Sequence, residues 1–257
     1  MHLLPQSIHR FAGAFRYLVP LAAACALLLS GAAGAASLQV APTSVVLDAD
    51  ANAGALWLSN TDPNTSTRAQ VRVFRWTQVD GEDVLEPTRD LAVSPPMLEL
   101  DPSGRQLVRV VRIGVPPQDD EASYRIIVDE VPNDAGDKPS GLQFLLRYSL
   151  PVFIAPNGSP EMAHELDGRL ELEGKQPTLV VSNRGNQHAQ LADLSWVGPG
   201  GERSQLVSGL VGYVLPGQTM SWPLEVPPSR VRGDGELRVR INGEALDRPL
   251  PLDAAAR

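Results

Sequence analysis

Beyond residue 36 this 257-residue chain has no cysteine, its single Cys25 lying in the opening segment. A chain without thiols has no disulfide framework and no cysteine nucleophile, so it must be held together by its core alone. Histidine is nearly as scarce. Only His164 and His188 lie beyond the opening segment. They are too few and too far apart for a metal-ligand spacing, and the His164-Glu165 pair lacks the second histidine of a zincin helix. No G-x-S-x-G elbow, P-loop or G-x-G-x-x-G occurs. The acid pairs Asp119-Asp120 and Asp129-Glu130 do not make a catalytic dyad, because neighbours on a strand point to opposite faces. These absences exclude the common enzyme classes and call for no cofactor or metal.

Long apolar runs are also missing. The longest, from about Leu18 to Leu29, follows Arg10 and Arg16 and ends in small residues with an A-x-A site at Ala33-Gly34-Ala35. It is shorter than the roughly 20 residues a membrane span needs, and this layout is that of a secretory signal. Residues 1–36 are therefore expected to be removed, the mature chain starting at Ala36 or Ser37, with no membrane insertion afterwards. Cys25 sits inside the apolar run and reads as filler rather than a lipidation site. Removing Arg10 and Arg16 takes 22 basic residues to 20 against 30 acids, a net charge of −10. That balance argues against nucleic acid or an anionic membrane as partner.

What the sequence does contain is short β-rich runs: 38–47, 54–60, 69–78, 106–113, 124–131 and 141–153, then 168–174, 177–183, 188–197, 204–216, 219–226 and 236–243. Turn signals such as TDPN, VDGED, DPSG and NDAGD separate the earlier ones at the spacing of an antiparallel sandwich. The Pro- and Gly-bearing stretch Ala155-Pro-Asn-Gly-Ser-Pro160 marks a hinge. The expectation is an all-β protein of two immunoglobulin-like sandwiches in series, residues 37–156 and 157–257, with a frayed tail from Asp253. Trp57, Trp76, Trp196 and Trp222, two per sandwich, read as core plugs, with a sugar-stacking platform as the alternative.

The stretch GLQFLLRYSLPVF (141–153) places Leu142, Phe144, Leu146, Tyr148, Leu150 and Val152 on one face of an extended chain. Pro151 cannot donate a ladder hydrogen bond, which puts this strand at a sheet edge or end. An apolar edge strand is an aggregation hazard, so its presence asks for a purpose.

Four blocks, SPPMLELDPSGRQLVRV (94–110), YRIIVDEVP (124–132), LLRYSLPVF (145–153) and GYVLPGQ (212–218), occur in an order that resembles the periplasmic pilus-assembly chaperones of the chaperone–usher pathway, most closely the archaic branch. The resemblance implies a boomerang-shaped, non-enzymatic chaperone of the Gram-negative periplasm. Its partners would be unfinished pilin subunits and an outer-membrane usher, and no nucleotide would be used. It further implies that Leu142, Phe144, Leu146 and then Tyr148 form a donor strand laid into the groove of a pilin.

Three departures accompany it. Where better-known relatives carry an Arg and a Lys that hold the pilin's terminal carboxylate, this chain has Ser44 and Pro151, leaving Arg109, Arg112 and Arg147 as candidate anchors. Glu130 matches the acid that fixes the angle between the sandwiches, and its usual Arg partner is replaced by Ala155. A free edge would also permit self-association. The competing reading is a secreted structural or adhesive sandwich protein, a pilus component or a carbohydrate binder.

Overall fold

The computed structural model describes residues 37–132, 144–157, 161–172 and 174–252. The first sandwich contains β1 (Leu38–Ala41), β2 (Val45–Leu47), β3 (Ala53–Asn60), β4 (Thr67–Val79), β5 (Glu82–Pro87), β6 (Leu91–Ser94), β7 (Met97–Leu100), β8 (Arg105–Arg112), β9 (Ala122–Val131) and β10 (Arg147–Ile154). One sheet has the order β1-β3-β8-β6; the other runs β2-β10-β9-β4-β5, with β7 also on β4. The run expected as one strand over 38–47 is two. Its first half pairs antiparallel with β3 and its second half parallel with β10, so the chain crosses from one sheet to the other at Pro42-Thr43-Ser44. Proline cannot donate to a ladder, and the crossing falls where the ladder would need it.

Strict alternation builds the core. On β8, Val108 and Val110 are buried while Arg105 and Arg109 are exposed, and Leu56 and Leu58 of β3 face Ile126 and Val128 of β9 within the same apolar cluster. Strands β5, β6 and β7 were not expected. β5 is exposed at nearly every position, so it carries no buried face for the sequence to advertise.

The second sandwich contains β11 (Leu166–Glu171), β12 (Thr178–Asn183), β13 (Ala189–Val197), β14 (Arg203–Gln205), β15 (Leu210–Val214), β16 (Thr219–Pro223), β17 (Glu236–Ile241) and β18 (Arg248–Pro249), with one 3-10 turn at Pro228–Val231. Its sheets are β11-β12-β16 and β14-β13-β17-β18, with β15 also on β13, and a separate apolar cluster lies between them. The run expected over 204–216 splits at Gly209, whose φ of +77° suits glycine best. Its N–H donates to Asp193 Oδ1 at 2.7 Å, which closes the bulge in β13.

Both sandwiches end a core strand on a buried asparagine. Asn60 Nδ2 donates to Thr65 O and Asp101 O, while its Oδ1 accepts from Asp62 N. Asn183 Nδ2 donates to Gln187 O and Val214 O, and its Oδ1 accepts from Glu165 N and Gly185 N. Asn183 is 1% exposed, so Asn183→Ala strands several buried backbone groups and is expected to cost at least about 2 kcal/mol, read as a lowered denaturation midpoint.

Candidate functional site

β10 lies between β9 and β2, but the two neighbours differ in length. β9 pairs with it from Arg147 to Ile154, whereas β2 covers only Val152 to Ile154. The carbonyl of Leu146 accepts from Glu130 N on the β9 side, and Ala155 N donates to Leu47 O on the other. Even-numbered residues therefore aim their backbone groups at β9 and odd-numbered ones at the opposite side. Among the described residues no strand pairs with that side of Arg147–Pro151. Pro151 falls on an outward position, where its missing N–H breaks no ladder bond. The edge is thus real but shorter than expected: regular strand starts at Arg147, and Val152 to Ile154 are interior.

The apolar face of the same stretch changes character along its length. Leu150 and Val152 are 4% and 0% exposed and belong to the sandwich's own core. Leu146 and Tyr148 are half-buried against the rim of that core, and the Tyr148 hydroxyl donates to Leu38 O at 2.5 Å. Phe144 overhangs the end of the sandwich and is 73% exposed, with Leu145 beside it at 46%. Leu142, expected on this face, lies outside the described residues.

The three candidate arginines are not brought together. Arg109 projects from the outer face of the opposite sheet, in register with Ala55 and Ser94. Arg112 donates to Ala49 O and Asn52 Oδ1, bracing a loop. Arg147 pairs with Asp129, which also takes Arg72 at 2.5 Å. Burial would raise the Asp129 carboxyl, but hydrogen bonds from Arg147 and Arg72 outweigh it and hold the group below its ordinary value. A depressed carboxyl contributes stability that is present above its unfolded pKa and lost as pH falls through the folded one. Arg147→Ala should move the Asp129 titration upward toward that of an ordinary aspartate, as followed by carboxyl-carbon NMR; an unmoved midpoint would show that Arg72 alone sets it.

Glu130 is likewise not at the junction of the sandwiches. It sits at the far end of β9, where its Oε2 accepts from Leu146 N at 3.1 Å. Nine residues of strand, roughly 30 Å, separate it from Glu121. Glu121 is the acid that meets the second sandwich: its Oε1 lies 2.7 Å from His188 Nδ1, and its backbone N–H donates to Asn186 O. The His188 ring stacks on Phe153, with centroids 3.5 Å apart. Beside it, buried Trp76 and Phe153 pack with Leu215 and Tyr213. The Arg125 guanidinium lies 3.7 Å over Trp76, and this burial lowers its pKa while Asp83 opposes the shift. Gln78, 4% exposed, completes the joint: its Nε2 donates to Tyr213 O and its Oε1 accepts from Leu215 N, both at 2.9 Å. Nothing in the sequence marks Gln78, at the end of a β-rich run, or Glu121, just ahead of one.

A cleft of about 310 Å³ opens beside this joint, walled by Thr43, Ser44, Phe153, His188, Tyr213 and Asn242 among others. Among the described residues no lysine or arginine lines it. Ser44 lines this cleft, and none of Arg109, Arg112 and Arg147 does. Among the described residues no group of His, Cys, Asp or Glu could hold a metal ion, and no helix is long and apolar enough to cross a membrane.

Residues 37–160 match the family model described as pili and flagellar-assembly chaperone, PapD N-terminal domain. None of the curated proteins compared matches the chain. Among solved structures, a chain from the chaperone–tip adhesion subunit pre-assembly complex CsuC–CsuE of the archaic Csu pili of Acinetobacter baumannii is 22% identical. The similarity covers 84% of this protein and 98% of that chain, with a TM-score of 0.66. The CupB2 chaperone of Pseudomonas aeruginosa is 20% identical over 84% of this protein and 100% of its own chain, with a TM-score of 0.58. A chain from the Salmonella enterica SafA pilin–SafB chaperone complex is 22% identical, covering 83% of this protein and 95% of that chain, with a TM-score of 0.57. These likenesses establish the fold of two immunoglobulin-like sandwiches. Residues 37–160, the stretch that contains the first sandwich, belong to the pili and flagellar-assembly chaperone family as its PapD N-terminal domain.

Proposed function

We propose that this protein is a periplasmic chaperone that holds unfinished pilin subunits by lending them β10 and the chain before it, and that hands them to an outer-membrane usher. The observation that carries the reading is the outward side of Arg147–Pro151, unpaired among the described residues, running on from exposed Phe144 and Leu145. An edge of that kind supplies main-chain hydrogen bonds to an added strand, and the alternating side chains supply its pockets. Phe144, Leu146 and Tyr148 form one continuous face, of which the sandwich's own core uses only the last two, and only in part. Leu142 would extend it.

The first-sandwich family and the pilin and tip-subunit complexes of its structural relatives support the same reading. The secreted adhesive alternative loses much of its basis, since Trp57 alone of the four tryptophans is exposed. The test is co-expression with pilins encoded nearby and a periplasmic pull-down. Recovery of a pilin in equimolar complex is expected; glycan binding or self-association without any pilin would point to the alternative.

A further inference from the structure

The outer face of the β1-β3-β8-β6 sheet lies opposite the proposed donor edge and is untouched by that role. Its residues follow from the register: Ser59 beside Arg105, Trp57 beside Leu107, and Ala55 beside Arg109. Trp57 is 41% exposed, and the Arg105 guanidinium stacks over its ring at 4.6 Å. None of the outward positions on the four strands is acidic, and none but Arg105 and Arg109 carries a charge. In a chain with 30 acids to 22 bases, an acid-free face of this size is a departure from the rest of the surface. Neither arginine forms an ion pair among the described residues, whereas Arg72, Arg75, Arg125 and Arg147 on the other sheet all do. Tryptophan and arginine are also the residue types that dominate binding energy at protein interfaces.

We infer that this face docks an acidic segment of a partner protein, with carboxylates on Arg105 and Arg109 and an apolar side chain between them against Trp57 and Leu107. Four residues of strand separate the arginines, so the partner's acids stand about 13 Å apart. A carboxylate suits each guanidinium because the planar fork donates two parallel hydrogen bonds. An anionic lipid surface fits less well, since two arginines give only weak electrostatic attraction to a bilayer.

The probe is a synthetic nine-residue peptide, Ser-Ser-Glu-Ser-Leu-Ser-Glu-Ser-Ser, titrated into the isotope-labelled protein and followed by two-dimensional NMR. Saturable shifts of the Trp57 indole N–H and of β3 and β8 amides are expected. The Arg105→Glu, Arg109→Glu double variant should melt like the wild type and bind on the order of tenfold or more weakly. Phe144→Glu should bind the peptide unchanged, which separates this surface from the proposed donor edge. The inference is overturned if millimolar peptide leaves the Trp57 signal unmoved, if the double variant binds equally well, or if phosphatidylglycerol vesicles shift these signals and the peptide does not.

Discussion

Phe144→Glu should leave the free protein folded and deprive it of pilin. Phe144 is 73% exposed and touches no core cluster, so a charge there changes stability by no more than about 0.5 kcal/mol, or a degree or two in melting temperature. A pilin groove built to take an apolar ring would have to desolvate the carboxylate without a partner. That costs several kcal/mol, and each 1.4 kcal/mol is tenfold, so capture should fall on the order of 100-fold or more. Leu146→Glu, two residues along the same face, should behave differently. Leu146 is half-buried against the sandwich core, so its variant should also melt several degrees early. The measurements are thermal melting of each purified variant and pilin recovery in a pull-down. A Phe144→Glu protein that melts normally and still captures pilin at the wild-type level would remove Phe144 from the binding strand.

The second large effect is expected at the joint between the sandwiches. Trp76 is 1% exposed and packs with Phe153, Tyr213 and the Arg125 guanidinium. Trp76→Ala removes the largest side chain of that cluster and leaves Arg125, 13% exposed at its side chain, without the ring it lies on. A cost of about 3–5 kcal/mol follows, a fall of roughly 10 °C or more in melting temperature for a protein of this size. Trp57→Ala, by contrast, should be close to neutral in the free protein, because its ring is held only by the sheet surface and Arg105. Equal melting of the two variants would mean that the joint contributes little to the stability of the first sandwich.

These two tryptophans show where reading the chain runs out. Each lies in a β-rich run with apolar alternation, WLSN and RWTQ, and nothing local tells them apart. Trp76 is buried because it projects from the outer face of its sheet at the end where the second sandwich packs; Trp57 projects from the other sheet, where among the described residues the second sandwich does not reach. The same gap explains Glu130 and Glu121. Motif position selected Glu130, yet an acid can bridge two sandwiches only at the end of β9 that reaches the second one, and that end carries Glu121.

Strand periodicity and the turn signals between the runs were enough to determine an all-β protein of two immunoglobulin-like sandwiches. Those properties depend on local sequence alone: which residues alternate, which cannot donate, which can turn. The apolar face before Pro156 was legible for the same reason. How that face is divided was decided only by the tertiary structure. Leu150 and Val152 become core, Leu146 and Tyr148 become rim, and Phe144 is left in solvent, because the opposing sheet stops partway along the strand and β2 covers only its last residues. Burial is a property of what lies across from a residue, and that neighbour is supplied by chain distant in sequence.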